Sequence, residues 1–492
     1  MEGAETREAY RRTMFDAICV TALIAYFLHF ALAALRGGFR EDEMMNLHVY
    51  WDAGALKSLL ANVYFWTPFY RPGGALYYLP LYSFYGLNPR PYRIAQIIIL
   101  TASIPILYHL ARSVASSRSV AFLASLAVCY HAQMANLVFV GAFIYDVLCG
   151  FFYFVALTYY IHIRERGTQL RPAQLLAFLA LYVCALNSKE MAVSLPLIIL
   201  IYEILKCPPQ AEWKGLIRWT RTSASAALFS GLLTAIYIFG KTQGSGALIK
   251  LDPYRPRYSW TTFMDSNSRF VSQFFYQFPT HIISHTGLLS LWALIFLYAF
   301  MRRDRMLRLM AFWIVIVPLP IAFLIPFRGG ASLYLLFFGW AMILAKLASD
   351  LILLTSKFFV LTRQPWAALR VSMTLALAFS LACFTQSEHT RFGSPWLRAG
   401  ELTSHVIQAL RSLDLHPAPG STILLLLKEN PFHNKWNPFY IASLVWNDHS
   451  LRIWQDGKQQ LKPGQLANID YVVSVGEFQA KVIRAPEIPQ SD

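Results

Sequence analysis

Three consecutive carboxylates follow the first strongly apolar segment of the chain. That segment, residues 14–35, is long enough to cross a bilayer as a helix, and Glu41, Asp42 and Glu43 come shortly after it. Because adjacent carboxylates at a membrane face repel each other, we expect at least one of them to have a raised pKa. A partly desolvated carboxylate suits a general base that deprotonates a hydroxyl or amine nucleophile. The alternative is an acidic turn that only keeps the end of the helix in water.

Two further ionisable sites interrupt apolar segments of the chain. Asp146 stands near the start of the predicted fourth span, where burying a charged side chain costs roughly 2.5–3.5 kcal/mol on insertion scales. Lys189 and Glu190 separate two short apolar runs, and a cation at this depth favours an anionic lipid head, which makes Lys189 a candidate phosphate contact. The alternatives are an interfacial aspartate that reaches water and a neighbouring ion pair that caps a turn.

Three more side chains fall on the same predicted side of the membrane. Arg71 and Arg328 carry guanidinium groups, which bind phosphate with two parallel hydrogen bonds and so suit a phosphate leaving group. The alternative for Arg328 is a side chain that merely extends to the membrane interface. His131, near the outer end of the third span, is a candidate for the acceptor pocket, although a lone histidine there is more often simply hydrogen-bonded within the protein.

Composition places these residues in an integral membrane protein. Of 492 residues, 56% are apolar and 14% are charged, whereas soluble proteins have about 25% charged residues. The net charge of +16 does not indicate a nucleic-acid partner, because much of the basic charge lies in short loops where it sets membrane orientation. The six cysteines lack metal-ligand spacing, so we expect neither a structural disulfide nor a zinc site.

Eleven apolar runs predict the membrane topology. They are 14–35, 93–113, 119–138, 142–162, 173–187, 190–205, 222–240, 285–301, 309–326, 331–351 and 366–386. The fifth and sixth are short and separated only by Ser188 and Lys189, so they are either tilted, partly re-entrant or displaced in their bounds by a few residues. We interpret the first as an uncleaved signal anchor. With the N-terminus in the cytoplasm, every cytoplasmic loop is basic, as the positive-inside rule requires. Two long loops, 36–92 and 241–284, then lie outside the membrane. All the candidate site residues lie on this outer side, either in the first of these loops or near the outer ends of the spans.

The character of the chain changes near residue 388. Polar residues, prolines and glycines return, and the pattern predicts helices at 395–413 and 436–445 and strands at Thr422–Leu427 and Tyr471–Val475. The prediction is therefore an all-α polytopic membrane protein with about eleven transmembrane helices in residues 1–387, followed by a small extramembrane α/β domain in residues 388–492.

Several motifs occur in a recognisable order along residues 10–340. They are Asp42-Glu43, Tyr70-Arg71-Pro72, Tyr85-Gly86-Leu87-Asn88-Pro89, Tyr92-Arg93, His131 with Asp146, Ser188-Lys189-Glu190, Ser194-Leu195-Pro196 and Tyr202-Glu203. This order resembles the GT-C class of membrane glycosyltransferases, which use polyprenyl-phosphate-linked sugars, and most of all the protein O-mannosyltransferase group. Two positions depart from that pattern, since His131-Ala132 stands where His-Pro is usual and Tyr145 where an arginine is often found.

The resemblance implies roles for particular residues. Asp42 would act as the base or orient the acceptor, and Glu43 would support it. Arg328 would hold the carrier phosphate. Asp42, Glu43 and Asp146 are the expected catalytic carboxylates. Asp146, Lys189 and Glu190 would also shape the pocket at the outer face. No cofactor is implied; an Asp-Glu pair is a possible site for a divalent cation, but one short acidic cluster does not support it.

The expected function is transfer of a sugar from a polyprenyl-phosphate donor, with inversion by single displacement, at the extracytoplasmic face of a bacterial inner membrane. The acceptor stays open among protein, lipid and polysaccharide, and the C-terminal domain would be periplasmic. One alternative is a transporter or flippase of lipid-linked sugars, disfavoured because charges within the spans cluster at one face and no inverted repeat is visible. Another is a non-catalytic membrane scaffold that presents the C-terminal domain.

Overall fold

The computed structural model describes residues 2–64, 71–210, 212–243, 247–361, 365–388, 395–398, 400–427, 432–457 and 468–484. Within these residues the protein is mainly helical. The α-helices are α1 Glu2–Ala31, α2 Glu41–Ala53, α3 Ala55–Leu60, α4 Ala75–Tyr85, α5 Pro89–Ala115, α6 Arg118–Cys129, α7 Asn136–Phe139, α8 Ile144–Glu165, α9 Pro172–Ser188, α10 Leu195–Lys206, α11 Trp213–Thr222, α12 Ser225–Gln243, α13 Trp260–Phe274, α14 His285–Met301, α15 Arg305–Ile316, α16 Leu319–Ala322, α17 Tyr334–Leu361, α18 Pro365–Glu388, α19 Pro395–Arg398, α20 Glu401–Arg411 and α21 Asn437–Trp446. The β-strands are β1 Thr422–Leu427, β2 Arg452–Gln455, β3 Tyr471–Val475 and β4 Ala480–Arg484.

A helix lies at each of the eleven predicted spans, and the prediction of a polytopic helical membrane protein is confirmed. Seven helical segments within the described residues are long and apolar enough to cross a membrane by themselves: Thr13–Arg36, Pro89–Ala115, Gly141–Glu165, Ser225–Gln243, Arg305–Ala322, Gly330–Lys357 and Leu369–Glu388. The helices at the fifth, sixth and eighth predicted spans, α9, α10 and α14, are shorter. The third predicted span is broken into two helical segments, α6 and residues 132–139, and the angle between them at the break is 47°.

Helices α5, α6, α8 and α17 form the centre of the bundle. Their apolar side chains pack on several sides at once, which is why these segments are apolar around their circumference. Polar groups join the helices where they meet. Trp313 of α15 donates its Nε1 hydrogen to the carbonyl oxygen of Leu335 in α17 at 2.8 Å, and both residues are buried. Such a bond aligns two helices in surroundings where water is absent.

Both long outer loops contain α-helices. Residues 36–92 contain α2, α3 and α4, and residues 241–284 contain α13. The first loop therefore presents its acidic triplet in the first turn of a helix, α2, and not in an irregular segment. Because a helix fixes the direction of each side chain, this difference decides which of the three carboxylates can meet a substrate.

Buried charges occur at both ends of the bundle, so the expectation that they cluster at one face is wrong. Glu203, inside a predicted span, pairs with Arg164 (Oε2–Nη2 2.6 Å) and accepts a hydrogen bond from the Tyr160 hydroxyl at 2.7 Å. Asp16 pairs with Arg118 near the same end. These carboxylates neutralise arginines of the basic loops, a relation between distant segments that the sequence does not display. They give a transporter no continuous polar path, but the one-face argument against it no longer applies.

The C-terminal residues form a small mixed sheet with the strand order β2-β1-β3-β4. Strand β1 is parallel to both β2 and β3, and β3 is antiparallel to β4. Both predicted strands and both predicted helical regions are confirmed, the first as α19 and α20 and the second as α21. Strands β2 and β4 were not predicted, because they are short edge strands of four and five residues in which charged or polar residues interrupt the apolar ones.

The C-terminal domain packs directly on α2. Its backbone N–H of Asn434 donates to the Glu41 carboxylate at 2.6 Å, and its Asn447 side chain accepts a hydrogen bond from Trp51 Nε1 at 2.8 Å. Thus contacts near both ends of α2, ten residues apart in sequence, are made by the same domain. The domain thereby holds the helix that carries the acidic triplet.

Candidate active site

A cavity of about 320 Å³ opens at the end of the bundle where α1 and α9 finish and α8 and α17 begin. This is the end that the sequence analysis places outside the membrane. Six of the eight predicted site residues line the cavity: Asp42, Arg71, Asp146, Lys189, Glu190 and Arg328. They come from segments that are far apart in the chain, so the fold brings most of the predicted site together.

Asp42 is the carboxylate of the triplet that faces this cavity. It lies in the first turn of α2, and it makes no hydrogen bond or ion pair with any residue that the structure describes. The side chain is exposed to solvent and lines the cavity, although many protein atoms surround it. Burial and the neighbouring charges of Glu41 and Glu43 raise its pKa, and the nearby Arg40 only partly opposes them.

Glu43 does not line the cavity. Its carboxylate is buried and accepts two hydrogen bonds from Arg93, from Nη1 at 2.9 Å and from Nη2 at 2.8 Å. It also accepts a hydrogen bond from the backbone N–H of Arg40 at 2.9 Å, which caps the start of α2. A direct catalytic role is therefore corrected to a positioning one: Glu43 ties α2 to α5 and leaves Asp42 facing the cavity.

The space around this ion pair is closely packed. Gly141 lies against it, and a Cβ atom added there would overlap both Glu43 Oε1 and Arg93 Nη1. Only glycine therefore fits beside the pair without displacing it. Since Arg93 Nη2 also donates to the Gly38 carbonyl at 2.8 Å, the pair joins three segments behind the candidate base.

Lys189 and Asp146 form a buried ion pair in the cavity wall. Lys189 Nζ also donates to the Ser332 hydroxyl, at 3.0 Å. One prediction from the sequence was a neighbouring Lys189–Glu190 pair, but Lys189 pairs instead with the aspartate of α8. Each buried charge is therefore compensated, and the ammonium group stays at the cavity surface where an anion can reach it.

Arg71 and Glu190 form the second ion pair of the wall. Arg71 Nη2 lies 2.8 Å from Oε1 and 3.1 Å from Oε2 of Glu190, and Arg71 Nε lies 3.3 Å from Oε2. The guanidinium carbon is 5.1 Å from the ring centre of Tyr145, which places the cation over an aromatic face. The Arg71 carbonyl accepts a hydrogen bond from the Tyr50 hydroxyl at 2.8 Å. Backbone and side chain are thus both held.

Arg328 differs from the other two cations of the cavity. No carboxylate pairs with it in the part of the chain that the structure describes. Its Nη2 donates to the carbonyl oxygen of Pro253 at 2.9 Å, and its guanidinium carbon lies 4.6 Å from the ring centre of Tyr254. These contacts orient the side chain but leave its positive charge uncompensated by them. Arg328 is therefore the cation of the cavity best suited to an incoming anion.

His131 is not brought to the cavity, so its predicted place in the acceptor pocket is corrected. It lies buried at the break between α6 and α7, with its ring 4.1 Å from that of Tyr276. Its Nδ1 accepts the Gln133 backbone N–H at 3.2 Å, and its Nε2 is 3.0 Å from the carbonyl oxygen of Phe274. Both nitrogens are used, Nδ1 within the break and Nε2 in joining the broken span to α13, which is the structural alternative that the sequence left open.

The cavity also contains groups that the sequence analysis did not select. The additional polar and aromatic lining residues include Asn46, Tyr145, Tyr254 and Ser332. Asn46 follows Asp42 by one helical turn, a spacing that would have indicated a shared face had the segment been recognised as a helix. Tyr145 was noted only as a departure from a family pattern. Tyr70 of the motif around Arg71 lies outside the described residues.

The fold matches that of a solved membrane protein. The crystal structure of ArnT from Cupriavidus metallidurans, bound to undecaprenyl phosphate, is similar to this chain with a TM-score of 0.50 over 96% of this chain and 97% of that one. The sequence identity is 11%. This chain has a GT-C fold. No protein-family model and no curated protein sequence matches it.

The GT-C fold confirms the expectation drawn from the motif order. The similarity extends over nearly the whole chain, including the C-terminal domain, which the motif comparison placed outside the resemblance. The narrower relation to the protein O-mannosyltransferase group stays a prediction. The structural match establishes the fold of the chain, but at 11% sequence identity it does not establish the reaction or the substrates. Those have to be inferred from the residues of the cavity.

Proposed function

We propose that this protein is a membrane glycosyltransferase that moves a sugar from a polyprenyl-phosphate donor to an acceptor at the outer face of the membrane. The observation that carries the proposal is the meeting of Asp42 and Arg328 in one cavity. Each is a charged group without an ion-pair partner among the described residues, and the two have opposite signs. One suits removal of a proton from the acceptor, and the other suits a departing phosphate.

The proposed donor fits the surroundings of the cavity. A polyprenyl chain can remain in the bilayer while its phosphate enters the cavity at the end of the helices. The cavity wall contains the three cations Arg71, Lys189 and Arg328. The N-terminal ends of α8 and α17 lie at the same end of the bundle, and helix N-termini favour anions. ArnT, which has the same fold, was crystallised with undecaprenyl phosphate.

In the proposed reaction Asp42 accepts a proton from an acceptor hydroxyl or amine. The freed electron pair attacks the anomeric carbon of the donor sugar, and the bond from that carbon to the phosphate oxygen breaks. The electron pair of the broken bond leaves with the phosphate, whose additional negative charge Arg328 stabilises. Attack opposite the leaving group inverts the anomeric configuration. The raised pKa of Asp42 makes it a stronger base than an ordinary carboxylate.

The two ion pairs of the wall have a different role in this scheme. Lys189 with Asp146 and Arg71 with Glu190 are already neutralised, so an incoming phosphate would share each cation with a carboxylate. We assign these pairs to shaping the cavity and orienting the phosphate, and we assign the main charge stabilisation to Arg328.

The proposed membrane topology gives the side of the membrane on which the reaction takes place. With basic loops in the cytoplasm, the cavity opens at the extracytoplasmic side, where a lipid-linked donor is available and nucleotide sugars are not. We propose a bacterial inner membrane as the location, with a periplasmic C-terminal domain. No nucleic acid or cofactor is needed for the proposed chemistry.

The decisive experiment measures release of polyprenyl phosphate from a panel of synthetic polyprenyl-phosphate sugars, with the protein in nanodiscs. Asp42→Asn should abolish release at equal folded yield, because the amide cannot accept the acceptor proton. The matched control is Asp414→Asn, which removes the same charge from an exposed turn of the C-terminal domain and should behave as wild type.

Two outcomes would contradict the proposal. Equal turnover by wild type and Asp42→Asn would exclude Asp42 as the base. If no donor is consumed while both proteins carry labelled lipid-linked sugar across liposome bilayers, the transporter alternative would replace the transferase.

A further inference from the structure

A second cavity lies between α2 and the C-terminal domain. It has a volume of about 290 Å³ and is separate from the cavity that contains Asp42. Its aromatic lining residues are Trp51 from α2, Phe439 from α21 and Trp454 from β2. Because these rings come from the outer loop and from a helix and a strand of the C-terminal domain, the cavity exists only when that domain is docked.

The aromatic and charged groups of this cavity are held in different ways. Trp51 stacks on His449 with ring centres 4.0 Å apart, and its Nε1 donates to Asn447, so its ring is fixed before any ligand arrives. Asp52 and Arg452 also line the cavity. Neither side chain makes a hydrogen bond or an ion pair with a described residue. The cavity therefore combines a rigid aromatic surface with a carboxylate and a guanidinium that have hydrogen-bonding capacity to spare.

This combination matches the chemistry of a saccharide. Sugar rings present weakly positive C–H groups, which favour the negative face of an aromatic ring, and hydroxyl groups, which both donate and accept hydrogen bonds. Asp52 can accept from such hydroxyls and Arg452 can donate to them. Aromatic rings and the carboxylates of Asp52 and Asp448, which both line the cavity, would also suit an ammonium ligand. The Asp448 carboxylate already accepts the backbone N–H of Ser450 at 2.8 Å, and the positive charge of Arg452 disfavours a cation.

One face of α2 connects the two cavities. Met45, His48 and Asp52 are spaced i, i+3 and i+7 and therefore lie on the same side of the helix. Met45 lines the cavity of Asp42, whereas His48 and Asp52 line the second cavity. Asp42 and Asp52 are separated by about 15 Å along the helix axis, at 1.5 Å per residue. A ligand that occupies both cavities must be longer than a single sugar unit.

We infer that the second cavity is an acceptor subsite, which binds the saccharide portion of a glycan acceptor while the reacting end of that glycan lies at Asp42. This inference rests on the proposed transferase function and narrows its open question, because it selects a glycan over a peptide or a simple lipid as the acceptor. The C-terminal domain then has a definite task, which is to complete the subsite against α2.

The test uses the full-length protein in nanodiscs and measures binding of four probe series: chito-, malto-, cello- and manno-oligosaccharides. At least one series should bind wild type. Trp454→Ala should weaken that binding about tenfold, the upper end of what one aromatic contact contributes. Asp52→Asn, an isosteric change at an exposed position that should not disturb folding, should also weaken it.

Two matched controls accompany these variants. Trp213→Ala removes an exposed tryptophan in α11, remote from the cavity, and Asp414→Asn removes an exposed carboxylate; both should bind as wild type. Consumption of the polyprenyl-phosphate donor is measured on the same preparations. Binding that Trp454→Ala and Asp52→Asn weaken, without donor consumption by any protein, would support the saccharide site and overturn the transferase proposal.

Other results would overturn the acceptor subsite without affecting the proposed transferase function. Donor consumption without binding of any oligosaccharide, or binding that neither Trp454→Ala nor Asp52→Asn alters, would leave the transferase standing without this subsite. A peptide containing serine or threonine that competes for the cavity would likewise exclude a glycan acceptor.

Discussion

Glu43 and Asp42 are adjacent carboxylates for which the structure predicts opposite consequences of neutralisation. Glu43→Gln should strongly destabilise the protein, because Arg93 would keep its charge in a site where both side chains are almost completely buried, at 0% and 1% exposure. Removing one partner of a buried ion pair typically costs about 3–5 kcal/mol. Glutamine would also turn amide hydrogens toward guanidinium hydrogens, so the three hydrogen bonds to Glu43 could not all survive.

Asp42→Asn should leave the free energy of unfolding unchanged or slightly increase it. A carboxyl group whose pKa is higher in the folded state binds its proton more tightly when folded. Ionisation of Asp42 at neutral pH therefore opposes folding, and the amide removes that penalty. The two substitutions thus separate stability from catalysis: Asp42→Asn should lose sugar transfer and stay folded, whereas Glu43→Gln should lose stability.

The assay is reversible unfolding by dodecyl sulfate in mixed micelles, followed by tryptophan fluorescence, with sugar transfer measured in parallel. Gly141→Ala perturbs the same ion pair from the opposite side, because its added methyl group would overlap both partners. It should resemble Glu43→Gln in stability. If Glu43→Gln unfolds like wild type, within about 1 kcal/mol, and yet abolishes transfer, the positioning role assigned to Glu43 is refuted.

Three further predictions concern the cavity. The initial rate of transfer should fall as the pH is lowered through the raised pKa of Asp42, since only the ionised carboxylate accepts a proton; an acid limb at or below about pH 4, the ordinary aspartate value, would contradict this. Arg328→Gln should lower kcat by about 100-fold or more, while Arg255→Gln, which changes an exposed arginine of the outer loop 241–284, should not; equal kcat values would exclude Arg328 from transition-state stabilisation. Lys189→Met should destabilise by about 3–5 kcal/mol, and adding Asp146→Asn should restore much of the loss in the same unfolding assay; additive losses would show that the two residues are not coupled.

Most of the fold could be predicted from the sequence because membrane burial leaves a strong local signal. A long run of apolar residues, as opposed to one of five or six, marks a helix, and a helix indeed lies at each predicted span. The strands Thr422–Leu427 and Tyr471–Val475 were predicted for the same reason, since buried strands are apolar. The break after α6 was missed because His131 and its neighbours satisfy their polar groups through α13, which is remote in sequence.

Which residues form the candidate site could largely be predicted from the sequence, but which of them form ion pairs with each other could not. Six of the eight proposed residues share one cavity, because ionisable groups near apolar spans are rare and tend to occupy polar spaces. Their partners were not predictable. Lys189 pairs with Asp146 and not with adjacent Glu190, since neighbours in sequence point in different directions once the backbone is folded.

By itself, the sequence determined the membrane class, the positions of the spans and the presence of an acidic triplet beside the first span, because each depends on local composition. Only the tertiary structure decided that Asp42 faces a cavity while Glu43 is buried against Arg93. Successive side chains on a helix diverge by about 100°, so the rotation of α2 against the bundle selects the exposed carboxylate. That rotation is set by contacts with α5 and the C-terminal domain, which no local pattern contains.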